Sequence, residues 1–179
     1  MPTDSIIKSM IRTIPDHPKK GILFRDISTL IGNAKGLRYS IDKMKDRYSS
    51  YEFDIVAGIE ARGFIIGSAF AYAMNKGFVP VRKKGKLPGD IVSHNYDLEY
   101  GSDTIEIQKD AIQKGQKVLL IDDLLATGGT ALGAISLIEK LGAEIVEICF
   151  LVDLPELKGG EKLKKAGYKY HAFCEFEGH

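Results

Sequence analysis

Val118-Leu119-Leu120-Ile121-Asp122-Asp123-Leu124-Leu125-Ala126-Thr127-Gly128-Gly129-Thr130 is the stretch that decides the fold. It opens on apolar residues without alternation, the pattern of a strand buried on both faces and parallel to its neighbours. Two carboxylates follow, and a run of small and hydroxylated residues then opens a helix. Ligands of open parallel sheets bind at the carboxyl ends of the strands. Residues 126–130 can turn successive backbone N–H groups inward, where a helix N-terminus adds partial positive charge, so the loop is built to cup a phosphate. Asp122 and Asp123 would repel that phosphate unless they face something else. The candidates are the vicinal hydroxyls of a ribose, a divalent cation, or both. A ribose 5-phosphate fits the combination. The sequence has no GxxxxGK(S/T) and no GxGxxG after a strand, which argues against NTPase and dinucleotide sites.

On both sides of this block helical and extended patterns alternate. Downstream, Leu132, Ile135, Ile138 and Leu141 share one helical face that stops at Gly142, and a strand is expected over 145–152. Upstream, 54–58 reads as a short strand, 62–75 as a helix rich in small residues, and 78–81 as the next strand. The alternation predicts an α/β fold with a parallel sheet flanked by helices. A long insertion over 83–115 separates two core strands, and its centre can form a hairpin from 93–100 and 104–108. Excursions of that length are usually functional. Near the N-terminus, Ile6, Ile7, Met10, Ile11 and Ile14 recur at helical spacing until Pro15, as do Leu37, Ile41, Met44 and Tyr48 further on. The extended piece 22–27 between them makes this region an appendage.

With 179 residues, 44% of them apolar, the chain reads as one domain over 1–179. Lys and Arg total 25 against 24 Asp and Glu, a net charge of +1. No global field draws it to nucleic acid or an anionic membrane, and any anion must be held locally. No apolar run is long enough to span a bilayer. Residues 1–14 lack the continuous apolar centre of a signal peptide, so a cytoplasmic location is expected. Cys149 and Cys174, without CxxC spacing, read as reduced core thiols. His17, His94, His171 and His179 show no paired spacing, and no residue is assigned as a metal ligand.

The 118–130 block resembles the phosphoribosyl-diphosphate motif of the type I phosphoribosyltransferases, and its Leu124–Gly129 portion is similar to that of their adenine-specific members. Four further stretches agree in the same order: Gly21-Ile22-Leu23-Phe24-Arg25-Asp26-Ile27-Ser28, Gly58-Ile59-Glu60-Ala61-Arg62-Gly63-Phe64, Arg82-Lys83-Lys84-Gly85-Lys86-Leu87-Pro88-Gly89 and Leu98-Glu99-Tyr100-Gly101. The resemblance runs from about residue 14 to 163, and nothing is carried over to 167–179.

The resemblance implies the type I phosphoribosyltransferase fold with a small N-terminal hood within 1–34 and a long flexible lid over 82–103. It implies transfer of 5-phosphoribosyl from its diphosphate to adenine, with Mg2+ held mainly through substrate oxygens, and a homodimer. Asp122, Asp123, Ala126, Thr127, Gly128, Gly129 and Thr130 are expected to bind the phosphoribosyl part. Glu60, Ala61, Arg62, Arg82, Lys83 and Lys86 are expected around the diphosphate. Arg62, with its planar fork, suits bidentate phosphate contact. Glu99 and Tyr100 are expected over the reacting centre, where Glu99 receives or positions the purine proton, and with Arg62 they form the catalytic set. Leu23, Phe24 and Arg25 correspond to the hood over the base: Phe24 offers a ring face or is a core phenylalanine, and the backbone around Leu23 and Arg25 reads the purine edge. Leu154 closes the other face of the base or belongs to the core.

Overall fold

The computed structural model describes residues 3–97 and 102–178. Its main sheet has seven strands: β3 (Ile55–Ile59), β4 (Gly77–Lys83), β5 (Ile91–Asp97), β6 (Ser102–Gln108), β7 (Lys117–Leu125), β8 (Glu144–Asp153) and β9 (Tyr170–Glu175). Their order is β5-β6-β4-β3-β7-β8-β9. The five strands from β4 to β9 are parallel, while β6 runs antiparallel to β4 and β5 antiparallel to β6.

The apolar run of β7 sits at the centre because both of its faces are buried. Leu119 and Ile121 face one core with Val56, Ile66, Phe70 and Tyr48, and Val118 and Leu120 face the other with Ile135, Ile138, Val79 and Ile148. Helices α1 (Ser5–Ser9), α3 (Ala34–Tyr48) and α4 (Arg62–Ala73) cover the first face, and α5 (Gly129–Lys140) and α6 (Gly159–Lys165) the second. From β3 the chain steps by α4 to β4 on one side and later resumes in β7 on the other. The sheet therefore has a topological switch point between β3 and β7, where a crevice opens at the carboxyl ends of the strands.

A second, two-stranded sheet pairs β1 (Arg12–Pro15) with β2 (Leu23–Asp26) in antiparallel register, Ile14 opposite Phe24. The helix expected to run from Ile6 to Pro15 is thereby corrected: α1 ends at Ser9, and Thr13 and Ile14 pair across the hood with Arg25 and Phe24. Asp4 caps α1 through Ile6 and Ile7 N–H, but tertiary pairing takes the apolar residues beyond it. A short helix α2 (Ser28–Ile31) leads from the hood into α3. The insertion also departs from a simple loop. Arg82 and Lys83 belong to β4, paired with Glu106 and Ile105 of β6, so the hairpin extends the main sheet and packs on α5. Cys149 and Cys174 are free and buried, each thiol pushed up to about 12 by its burial.

Candidate active site

At the end of β7, Asp122 Oδ1 accepts the N–H of Asp123 at 2.9 Å. Asp122 is half-buried, and its carboxyl is held well above the usual range, by burial first and by the adjacent Asp123 charge second. Asp123 is 4% exposed and also raised by burial, opposed by Arg62, whose Nε stands 2.6 Å from Asp123 Oδ2. Both carboxyls thus sit where a cation or hydroxyl donors would lower their cost. Asp122 is also boxed in from β3's side, since a Cβ on Gly63 would lie 2.9 Å from its Oδ1. Only glycine lets the start of α4 approach β7 this closely.

The loop that follows is a cup. Leu124 to Ala131 and Asp122 line an indentation of about 80 Å3. Gly128 takes φ +78° at the N-cap of α5, and no side chain caps that helix. The first helical N–H groups have no intrahelical carbonyl to bind, so the Gly128–Thr130 backbone offers donors and helix-dipole charge to an anion. A Cβ on Gly159, at the start of α6, would meet Ala126 O at 2.2 Å and Gly128 N at 3.0 Å. The cup is thus backed directly by another glycine backbone.

Next to the cup lies a cleft of about 260 Å3 lined by Ile59, Glu60, Ala61, Arg62, Lys83, Tyr96, Asp103, Asp122, Asp123, Leu124 and Thr130. The Glu60–Ala61 peptide is cis. Glu60 Oε2 accepts the Lys83 N–H at 2.9 Å and Arg82 Nε at 3.2 Å. Burial pushes the Glu60 carboxyl up, but these two donors prevail and hold it below the usual range. Arg82 also donates to Lys86 O at 3.1 Å, which closes the turn carrying exposed Lys84 and Lys86. The Arg62 guanidinium carbon is 5.2 Å from the Phe24 ring centroid, within cation–π range. Arg62 therefore joins the hood to the carboxylate pair.

The structure brings together most of the residues expected from the sequence: Glu60, Ala61, Arg62, Lys83, Asp122, Asp123 and the 126–130 loop surround one crevice. Lys86 stands at its exposed rim, and Phe24 reaches it through Arg62. The Arg25 side chain points elsewhere, with Nη1 on Thr13 Oγ1 at 2.6 Å and Nη2 on Glu177 O at 2.5 Å. Leu154 is 6% exposed and packs in the core. Glu99 and Tyr100 lie outside the described residues. Tyr96 and Asp103 were not foreseen. They face each other across the hairpin, Tyr96 Oη donates to Asp103 Oδ2 at 3.2 Å, and Lys83 Nζ lies 3.1 Å from the same oxygen. The signal for them was the period-two alternation of 91–97 and 102–108, which puts Tyr96 opposite Asp103 once the hairpin register is known.

The arrangement offers an anion cup, a half-buried and a buried carboxyl, a guanidinium and lysines around one crevice. That set accommodates a sugar phosphate carrying a second, more mobile anionic group. The phosphoribosyl transferase domain model matches residues 32–175. A protein of Chlorobium limicola named adenine phosphoribosyltransferase is 58% identical over 174 residues, covering 96% of this chain and 98% of its own. The crystal structure of adenine phosphoribosyltransferase from Thermoanaerobacter pseudethanolicus aligns with TM-score 0.91 at 48% identity, over 95% of this chain and 98% of the other. That of the Giardia lamblia enzyme complexed with 9-deazaadenine aligns with TM-score 0.90 at 39% identity, over 97% and 99%. With the family model, full-length relatives and solved structures all matching over most of its length, the chain belongs to the phosphoribosyltransferase family.

Proposed function

We propose that this chain is a cytoplasmic, homodimeric enzyme of purine salvage that joins adenine to 5-phosphoribosyl 1-diphosphate, giving AMP and diphosphate. The observation that carries the reading is the convergence of the 126–130 cup, the Asp122–Asp123 pair and Arg62 on one crevice, with Phe24 of the hood stacked against Arg62. No described helix is long and apolar enough to cross a membrane, and two free buried thiols suit a reducing compartment. The homodimer is part of the reading only because the family resemblance implies it.

In the reaction the bond from the ribose anomeric carbon to diphosphate breaks as the bond to a purine nitrogen forms, with inversion, and that nitrogen loses a proton. The cup fixes the 5-phosphate, so the sugar enters in one orientation. Asp122 and Asp123 accept from the ribose hydroxyls and stabilise the positive charge that develops at the sugar. Arg62, Lys83 and Lys86, with the backbone at Glu60 and Ala61 and with Arg82 shaping the turn, neutralise the departing diphosphate. Leu23, Phe24 and Leu154 enclose the base, the backbone about Leu23 and Arg25 reads its edge, and Glu99 with Tyr100 receives or positions the proton.

The residues present fit Mg2+ carried in by the substrate. Asp122, with its carboxyl raised by burial and by Asp123, lines both the cup and the cleft, where it can accept from the waters of a substrate-borne cation. Mg2+ bound chiefly to substrate oxygens and water would supply further neutralisation of the diphosphate.

The test is product analysis. Purified protein given adenine, 5-phosphoribosyl 1-diphosphate and Mg2+ should release AMP and diphosphate in equal amounts. The folded Asp122→Asn, Asp123→Asn double variant should lose nearly all turnover. Undiminished turnover in that variant would remove the carboxylate pair from the site.

A further inference from the structure

Residues 176–178, for which the family resemblance implied no role, run between the two walls assigned to the base. On one side, Phe176 N–H donates to Asp153 O at 3.1 Å, immediately before Leu154, and Gly178 N–H donates to Glu156 Oε1 at 3.0 Å, two residues after it. On the other side is the hood strand β2. Arg25 lays its guanidinium carbon 4.7 Å from the Phe176 ring centroid and donates from Nη2 to Glu177 O at 2.5 Å and to Gly178 O at 3.3 Å. A Cβ on Gly178, which has φ +76°, would stand 3.1 Å from Leu23 Cδ1. The segment therefore touches Leu23 and Arg25 on one wall and brackets Leu154 on the other.

The hood needs such a tie. Strands β1 and β2 form a sheet of their own, and an isolated two-stranded ribbon is marginal in water. Arg12 to Asp26 and Arg25 to Thr13 hold the ribbon together internally. Phe24 against Arg62 ties one face of β2 to the start of α4, and Leu23 and Arg25, its neighbours along the strand, project to the other face. Arg25 is 6% exposed, and a buried guanidinium needs carbonyl acceptors and a ring face to offset its lost hydration. Residues 176–178 supply both. The bonds are charge-assisted and directional, so they fix distance as well as attraction.

We propose that residues 176–178 are a positioning strap that sets the spacing between β2 and the Leu154 wall, and through it the affinity for the purine base. The strap touches no reacting atom. It rests on the reading of Leu23, Phe24, Arg25 and Leu154 as the base site, and it is separate from the cup and the carboxylate pair, which bind the other substrate.

The experiment compares steady-state kinetics of the full chain with those of Phe176→Ala, Phe176→Tyr and a chain ending at Glu175, with both substrates varied and thermal unfolding recorded. Phe176→Ala and the shortened chain should raise KM for adenine about tenfold or more, as expected when a buried charge-assisted tie is lost, while KM for 5-phosphoribosyl 1-diphosphate stays within about twofold. Phe176→Tyr keeps the ring and should restore the adenine KM. If the first two variants fail to fold, Arg25→Lys keeps the charge without the fork and should still raise the adenine KM alone. An unchanged adenine KM in a folded variant, or both KM values rising in proportion, would overturn the strap. Failure of the unaltered protein to form AMP from adenine would instead overturn the function on which the strap rests, whatever the variants did.

Discussion

Arg62 has two partners before any substrate arrives. Its Nε is 2.6 Å from Asp123 Oδ2, and its guanidinium carbon is 5.2 Å from the Phe24 ring centroid. Arg62→Ala removes the counter-charge of a carboxyl that is 4% exposed, as well as the proposed diphosphate contact. Its kcat/KM for 5-phosphoribosyl 1-diphosphate should fall by about 10²- to 10³-fold. Arg62→Lys should recover only part of this, because a point charge cannot serve carboxylate, ring and phosphate together. Steady-state kinetics on variants shown by circular dichroism to be folded would decide it, and full activity in Arg62→Lys would reduce the residue to a generic cation. Glu99 has a different expected signature. Glu99→Gln should lower kcat by about 10²- to 10⁴-fold, the range of general acid–base groups, with binding of 5-phosphoribosyl 1-diphosphate nearly unchanged by calorimetry. Loss of affinity in proportion to rate would make Glu99 a latch on the substrate instead of a proton acceptor. At this scale the acidic pair, the loop glycines and Arg62 were legible because each belongs to a compact motif. Arg25 was legible as a position only: nothing local to it reveals that its guanidinium reaches a segment 152 residues away.

Among the elements, the cup depends on two glycines that meet. Gly159→Ala would drive a Cβ against Ala126 O and Gly128 N, both backbone atoms that cannot rotate aside. The variant should lose about 1–3 kcal/mol of stability, the usual cost of overpacking. Its KM for 5-phosphoribosyl 1-diphosphate should rise, and a normal KM with normal stability would show that the backing is looser than the geometry implies. The basic turn makes a second prediction. Lys83, Lys84 and Lys86 are all exposed, but Lys83 ends β4 with Nζ on Asp103 and Lys84 N–H donates to Thr104 O at 3.1 Å, whereas Lys86 lies past the last strand pairing. Limited trypsin digestion followed by mass spectrometry should therefore find the first cut of this insertion after Lys86, suppressed when 5-phosphoribosyl 1-diphosphate and Mg2+ are bound. First cutting after Lys83, or cutting indifferent to ligand, would contradict a lid over 82–103 that folds onto the bound diphosphate.

The core strands and helices were legible because a short unbroken apolar run and a period of 3.6 separate cleanly there, as in 118–121 against 132–141. The hood was misread at 10–15 because Met10, Ile11 and Ile14 satisfy a helical template locally while their partners lie a dozen residues on. The hairpin strands were legible, but their attachment to β4 was not, since it depends on pairing between Arg82 and Glu106.

For the whole molecule, stability should depend on acid in two separate windows. His171 is lowered to about 4, by burial first and by the Arg47 charge second. The unfolded chain, with an ordinary imidazole near 6.5, takes up that proton first. Stability present above about pH 6.5 is accordingly lost as the pH falls toward 4. Asp26 is lowered to about 2 by Ser28 and Arg12, so its contribution is retained above the ordinary carboxylate value and is lost only as the pH falls from about 4 toward 2. The raised carboxyls of Asp122 and Asp123 act in the opposite sense, so the His171 contribution is read by comparison: in urea unfolding from pH 7 to 4, the loss of stability toward acid should be smaller in His171→Gln than in the unaltered chain, and Asp26→Asn should leave it unchanged. An equal loss in His171→Gln would place the buried proton uptake elsewhere.

On the proposed function, the crevice transfers phosphoribose to adenine in particular, and the hood backbone reads the purine edge. The direct measurement is kcat/KM for adenine, hypoxanthine and guanine in parallel, each with 5-phosphoribosyl 1-diphosphate and Mg2+. A pocket that pairs with the adenine amino group leaves buried groups unsatisfied when a carbonyl replaces it, so adenine should be preferred by about 10⁴-fold. Turnover of hypoxanthine or guanine equal to that of adenine would contradict the account.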